Sequence, residues 1–233
     1  MTAVTLDSLD LAALLCSKVC HDVISPVGAI VNGLELLEEE KDPEMRNEAI
    51  GLIKRSAGTA SAKLQFCRLA FGAAGSAGAS IDTGDAELVA RNLLSDSRTI
   101  MKWDAPRLLL PKNKVKLLLN MCLIGAAAIP RGGELAVTIS GADDATALKV
   151  EATGKTVRVA HGVDTLLRGE AEGGTIDAHG IQAYYTGLVA RACGMDIAIQ
   201  ASPEQMSIAA NPVAATDAKT DAESLEEASQ TAA

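Results

Sequence analysis

From Leu9 to Glu40 apolar residues recur at Ala12, Cys16, Val19, Val23, Ile30, Leu34 and Leu37. Spacings built from threes and fours place such residues along one face of a helix. A run of acids then leads into Asp42-Pro43, which marks a turn and the start of the next helix. That helix is expected from about Glu44 to Phe71, with a stripe of Ile50, Ile53, Ala57, Ala60, Leu64 and Cys67. Two long helices joined by a short turn predict an antiparallel hairpin. Residues 72–80 hold three glycines among Ala and Ser and read as a flexible joint.

Beyond the joint the periodicity is mixed. Helices are expected over Asp85 to Met101, Asn113 to Ala128 and Gly180 to Cys193, the last ended by Gly194. Alternating segments predict strands at Glu134 to Ser140, Ala147 to Ala152, Met195 to Ala201 and Gln205 to Ala209, with a further candidate at Thr156 to Ala160. Helices laid on a sheet make an α+β domain. The expected division is a helical hairpin over 1–71, a linker over 72–80, a second domain over 81–210 and a disordered tail over 211–233. The tail is rich in Ala, Thr, Asp, Glu, Ser and Lys, too little apolar surface to order itself.

Composition narrows the function classes. Hydrophobic residues make up 48% of the 233, but aromatics only 2%, so the core must be built from Leu, Ala, Val, Ile and Met. The net charge of −9 argues against a nucleic-acid partner. No apolar run approaches the ~20 residues of a membrane span, and no secretory signal is evident, so a cytoplasmic protein is expected. The five cysteines, Cys16, Cys20, Cys67, Cys122 and Cys193, form no disulfide framework. Cys16, Cys20 and His21 lack a fourth ligand at metal-site spacing, so no metal is expected and the thiols read as small buried apolar groups.

The informative residue is His21. It lies opposite the stripe of Ala12, Val19, Val23 and Ile30 and so faces solvent between Ser17, Lys18 and Ser25. Pro26, five residues on, interrupts a helical segment at a cost of roughly 3 kcal/mol and frees the carbonyl of Asp22. A kink beside an exposed histidine breaks a local rule where function is expected. The Asp22 carboxylate is placed to accept the Nδ1 proton of His21, which leaves Nε2 as the nucleophile and supports the positive charge that develops as a P–N bond forms.

His21, Asp22, Pro26 and Ile30 resemble the H-box of sensor histidine kinases, H-[E/D]-x-x-x-P-x-x-x-I. The resemblance implies that two hairpins pair into a four-helix bundle, which also covers a stripe that one hairpin leaves open. The second domain resembles the kinase ATP-binding domain with its nucleotide chemistry removed. Asn120 matches the first asparagine of the kinase N-x-x-x-N-A pattern, but Ile124 stands where the second would ligate Mg²⁺. Ala152 stands at the Asp that reads the adenine amino group, and the later Gly-rich loop is reduced to His179-Gly180-Ile181.

A kinase-like bundle followed by a degenerate ATP-binding domain resembles the ChpT-type histidine phosphotransferases of bacterial cell-cycle phosphorelays. Cys20-His21-Asp22, Ser25-Pro26-Val27, Leu117 to Asn120, Ile129 to Gly133 and Ile176 to His179 carry the likeness. It implies a homodimer that takes phosphate from the receiver aspartate of a CckA-like hybrid kinase. Delivery is then to the receivers of CtrA-like and CpdR-like response regulators. No ATP and no other cofactor is implied, the receivers supplying Mg²⁺. His161 and His179 match no phosphorylatable position and read as structural. The docking surface is expected around Leu14, Ser17, Lys18, Ile24, Ser25 and Gly28 of the first helix, with Ala62 and Gln65 of the second. Two other readings remain at this point: an active kinase with an atypical nucleotide site, and a non-catalytic module that docks on receivers.

Overall fold

The computed structural model describes residues 2–72 and 79–213. A short strand β1 (Thr2–Ala3) precedes α1 (Ser8–Glu39), and α2 (Pro43–Ala70) returns along it. The Asp7 carboxylate caps α1 through the N–H groups of Leu9 and Asp10, and Asp42 caps α2 through that of Glu44. Arg46 closes the turn by donating to the carbonyls of Leu37 and Glu40.

The hairpin seam is made of small residues: Pro26 and Gly33 are buried on α1, and Ala49, Ser56 and Ala60 on α2. A Cβ added at Gly33 would lie 2.7 Å from Ile53 Cγ1. The helices therefore approach more closely than any side chain there allows. On another side of α1, Val27, Val31 and Leu34 stay exposed, as do Ile50 and Leu64 on α2. Cys16 and Cys20, expected to be buried, are exposed. Their spacing puts them on the line of Val27 and Val31, the face that this hairpin leaves open. Val19, Val23 and Ile30 are half-buried between that face and the seam.

The remaining elements are β2 (Ser80–Asp82), α3 (Thr83–Leu94), β3 (Thr99–Asp104), β4 (Leu109–Pro111), α4 (Lys112–Ala128), β5 (Gly133–Ser140), β6 (Ala147–Thr153), α5 (Val163–Arg168), β7 (Glu170–Ala171), α6 (Ile181–Ala192), β8 (Met195–Ala201) and β9 (Gln205–Pro212). Five strands form one sheet in the order β3-β5-β6-β9-β8. β3 runs parallel to β5 and the other pairs are antiparallel. β2 pairs with β4, and β1 with β7. The turn into β5 needs glycine twice: Gly132 has φ +85°, and a Cβ on Gly133 would meet Thr153 O at 2.1 Å.

Four expectations change. The helix expected to reach Met101 stops at Leu94, because Asp96 accepts the N–H groups of Arg98 and Thr99 and turns the chain into β3. Residues 156–160 form no strand; Val157 and Arg158 instead donate to Pro203 and Ala128 across a loop. Ser80 belongs to β2 and not to the joint, and residues 73–78 of the joint lie outside the described residues. Asn211 and Pro212, placed in the tail, pair with Asp196 and Met195, while residues 214–233 lie outside the described residues.

The hairpin is also anchored more deeply than expected. Phe66, Leu69 and Ala70 at the end of α2 share one core with Leu117, Leu118 and Met121 of α4 and with Leu135 and Val150 of the sheet. By length and composition alone α1 is apolar enough to cross a membrane, with a mean hydropathy of 1.4. Its apolar side chains are divided between the α2 seam and the open face, and Lys18, His21 and Asp22 interrupt the rest.

The two glycines of α1 before and within the seam should respond oppositely to alanine. A Cβ at Gly28 meets nothing within 4 Å. Gly28→Ala is therefore expected to raise the melting temperature, by the ~1 kcal/mol that alanine gains over glycine inside a helix. Gly33→Ala must displace Ile53 and is expected to lower stability by about 1 kcal/mol or more despite the same propensity gain. Thermal unfolding of both variants checks the seam.

Candidate functional site

His21 lies near the middle of α1 with its side chain 87% exposed. Its Nδ1 is 3.5 Å from Asp22 Oδ1, longer than a made hydrogen bond. The other carboxylate oxygen of Asp22 receives Lys18 Nζ at 3.1 Å. Asp22 is thus held one turn up the helix by an i, i+4 partner and faces the histidine with its remaining oxygen. No hydrogen bond to His21 Nε2 is formed among the described residues, and the ring is largely exposed.

Pro26 lies inside α1 and is buried in the seam. The Asp22 carbonyl that it leaves without a ladder partner is taken by α2: Lys63 Nζ donates to it at 2.5 Å. Sequence reasoning placed Ala62 opposite His21 and missed Lys63. The antiparallel register was the available signal, being one residue from the observed partner. Cys67 sits in the same cluster. Burial first, and then the charge of Asp22, raise its thiol above the ordinary range, while Lys18 and Lys63 pull it down. It is held as a neutral thiol.

The expected docking residues divide. Ser17, Ile24, Ser25 and Gln65 are exposed, Ile24 at 68%. Leu14, Lys18, Gly28 and Ala62 are half-buried. Leu14 is thus not the open apolar contact anticipated, and the Lys18 ammonium is engaged with Asp22 instead of free to steer a partner. His161 and His179, read as structural, are exposed as well, so exposure alone does not single out His21. His179 Nδ1 lies 3.6 Å from Asp177, whose other oxygen accepts the N–H groups of His179 and Gly180. The bond from Gly180 is the largest cause that holds the Asp177 carboxyl below its ordinary range.

The region that resembles a nucleotide site is built differently. Asn120 is wholly buried. Its Nδ2 donates to Ala70 O at 3.0 Å and Lys116 O at 2.7 Å, and its Oδ1 accepts Gln182 Nε2 at 2.6 Å. Every polar atom of that amide is committed to the fold. Ala152 is fully buried in β6 between Leu135 and Met206. A cleft of about 440 Å³ remains between α4, the 158–163 loop and α6, lined by Leu123, Ile124, Ala127, Val159, Arg158 and His179 among others. No carboxylate lines it. A hard cation favours anionic oxygen ligands, and the lining offers it only the amide oxygen of Gln182 and backbone carbonyls. Among the described residues no three His, Cys, Asp or Glu side chains cluster as metal ligands.

Residues 83–205 match the family described as histidine phosphotransferase C-terminal domain. The chain is 54% identical over 207 residues to protein phosphotransferase ChpT of Brucella abortus (strain 2308), covering 89% of this chain and 98% of that one. It superposes with a TM-score of 0.82 and 51% identity on the 1.7 Å structure of a bacterial phosphotransferase, covering 91% of this chain and 100% of the other. At 54% identity across nearly the whole relative, and with the family model matching over half of its residues, the chain belongs to the ChpT-type histidine phosphotransferases.

Proposed function

We propose that His21 is the phosphoacceptor, and that the chain carries a phosphoryl group from one receiver domain to another without using ATP. The observation that carries this is the 87% exposed imidazole with Nδ1 turned to Asp22 and Nε2 free. In the forward step the Nε2 lone pair attacks the phosphorus of a receiver aspartyl phosphate. The P–N bond forms as the P–O bond to the aspartate breaks, and the carboxylate leaves with the bonding pair. The imidazole keeps its Nδ1 proton and becomes cationic, and Asp22 moves from 3.5 Å into hydrogen-bond reach of that charge. The reverse step, with an aspartate of a second receiver as nucleophile, returns the histidine to its neutral form. Receiver-bound Mg²⁺ neutralises the phosphoryl oxygens from the partner's side.

The donor is proposed to be the receiver of a CckA-like hybrid kinase and the acceptors to be CtrA-like and CpdR-like receivers, in the cytoplasm. The docking surface is centred on Ser17, Ile24, Ser25 and Gln65, the exposed members of the expected set. The chain acts as a homodimer whose interface is the open stripe of Val27, Val31 and Leu34 on α1 with Ile50 and Leu64 on α2. Heptad-like apolar spacing on an uncovered helix face is what a four-helix bundle requires.

Three measurements test these points. Incubation with a phosphorylated receiver is expected to place acid-labile phosphate on the wild-type chain and none on His21→Ala, which folds normally because an exposed helical site tolerates alanine. Label on the alanine variant would overturn the assignment. Calorimetric titration with Mg-ATP is expected to give no binding at micromolar concentration, and a micromolar Kd would overturn ATP independence. Val31→Glu is expected to halve the mass seen by light scattering; a wild-type chain that is already monomeric would exclude the dimer.

A further inference from the structure

Pro26 has no N–H, so the helix ladder cannot satisfy the Asp22 carbonyl four residues back. Pro26 is buried and Asp22 half-buried, which limits how well water could take that place. A side chain from the neighbouring helix does so instead. Lys63 Nζ lies 2.5 Å from Asp22 O, and among the described residues Lys63 makes no other hydrogen bond or ion pair. Asp22 is thereby held at two atoms by two cationic groups, the carbonyl by Lys63 and Oδ2 by Lys18, while Oδ1 lies 3.5 Å from His21 Nδ1.

We propose that Lys63 is a positioning residue for phosphoryl transfer at His21. The inference rests on His21 being the phosphoacceptor. His21 and Asp22 occupy the turn that Pro26 deprives of a ladder bond. Without a substitute donor that turn can shift, and the Asp22 carboxylate loses its fixed direction toward Nδ1. Lys63 supplies the bond from α2 and ties the reacting turn to the rigid partner helix. The distance that must close as the imidazole becomes cationic is the 3.5 Å between Nδ1 and Oδ1, so backbone drift at Asp22 acts directly on the transition state.

The experiment compares Lys63→Met, which keeps the aliphatic stem, with Lys63→Arg, which keeps a cationic donor. Rates are measured in the full chain with two donors, a phosphorylated receiver and phosphoramidate. Lys63→Met is expected to lower the maximal rate with both donors by about tenfold, since small misplacements at reacting groups cost up to ~100-fold. KM for the receiver should stay unchanged, the pH titration of the His21 imidazole followed by NMR should shift, and Lys63→Arg should restore both. A Pro26→Ala background returns an N–H at position 26. There the Lys63→Met loss should shrink, because the carbonyl regains a ladder partner. Unchanged rates in Lys63→Met overturn the proposal. So does a loss confined to the receiver's KM, which would make Lys63 a docking contact. A lower melting temperature with an unmoved imidazole titration would reduce it to a structural clamp and overturns it equally. Failure of the underlying reading looks different: acid-labile label persists on His21→Ala whatever Lys63 does.

Discussion

The close approach of α1 and α2 is the constraint on which the rest of the molecule depends. Gly33 against Ile53, with Pro26, Ala49, Ser56 and Ala60 along the seam, lets the two helices lie nearly backbone to backbone. That contact consumes one face of α1. It leaves His21 facing water on one side and the stripe of Val27, Val31 and Leu34 on another. Bulkier seam residues would push the helices apart and move Lys63 out of reach of the Asp22 carbonyl. Small-residue packing, nucleophile exposure and the open apolar stripe are therefore three consequences of one arrangement.

Asn120 on α4 fixes the end of the hairpin to α4 and α6. In a kinase-like active site an asparagine at this position would present its oxygen to a metal. Here its oxygen is taken by Gln182, and its nitrogen donates to the carbonyl of Ala70 at the end of α2 and to that of Lys116. A fully satisfied buried amide is costly to break, because each partner left behind becomes an unpaired polar group. The residue that resembles a catalytic remnant thus joins the end of the hairpin to the second domain. Phe66, Leu69 and Ala70 complete the junction from the apolar side. At Asn120 the amide that would be needed to meet a metal is committed instead to joining α2, α4 and α6.

How much of this was legible in the sequence depended on whether the information was local. The hairpin, its turn at Asp42-Pro43 and the exposure of His21 follow from periodicity and capping, which act within one or two turns. β3 was not legible because Ile100, Lys102 and Asp104 alternate with Met101 and Trp103 too briefly to outweigh the helix before them; an Asp96 turn decides the matter. The exposure of Cys16 and Cys20 was missed because a single apolar stripe was assumed where α1 carries two. Lys63 lay beyond a reading of α1 alone. Its partner is a backbone oxygen forty-one residues away, and only the antiparallel register brings them together. The role of Asn120 was hidden for the same reason: the motif named the residue, but its partners come from α2 and α6.

On the proposed assignment of His21 as phosphoacceptor, the chain must meet an unusual requirement. Its nucleophile must be open enough for a receiver's aspartate to reach it in line, yet its activating carboxylate must not wander in that open setting. Exposure and preorganisation normally oppose each other, because exposed side chains are free to rotate. Here the two are separated between atoms of neighbouring residues. The imidazole of His21 is left to solvent, while Asp22 is restrained through its backbone by Lys63 and through its second oxygen by Lys18. Pro26 leaves the Asp22 carbonyl without its ladder donor, and Lys63 of α2 supplies one in its place. The proline inside the helix thus coincides with the point at which α2 grips the turn that carries His21 and Asp22.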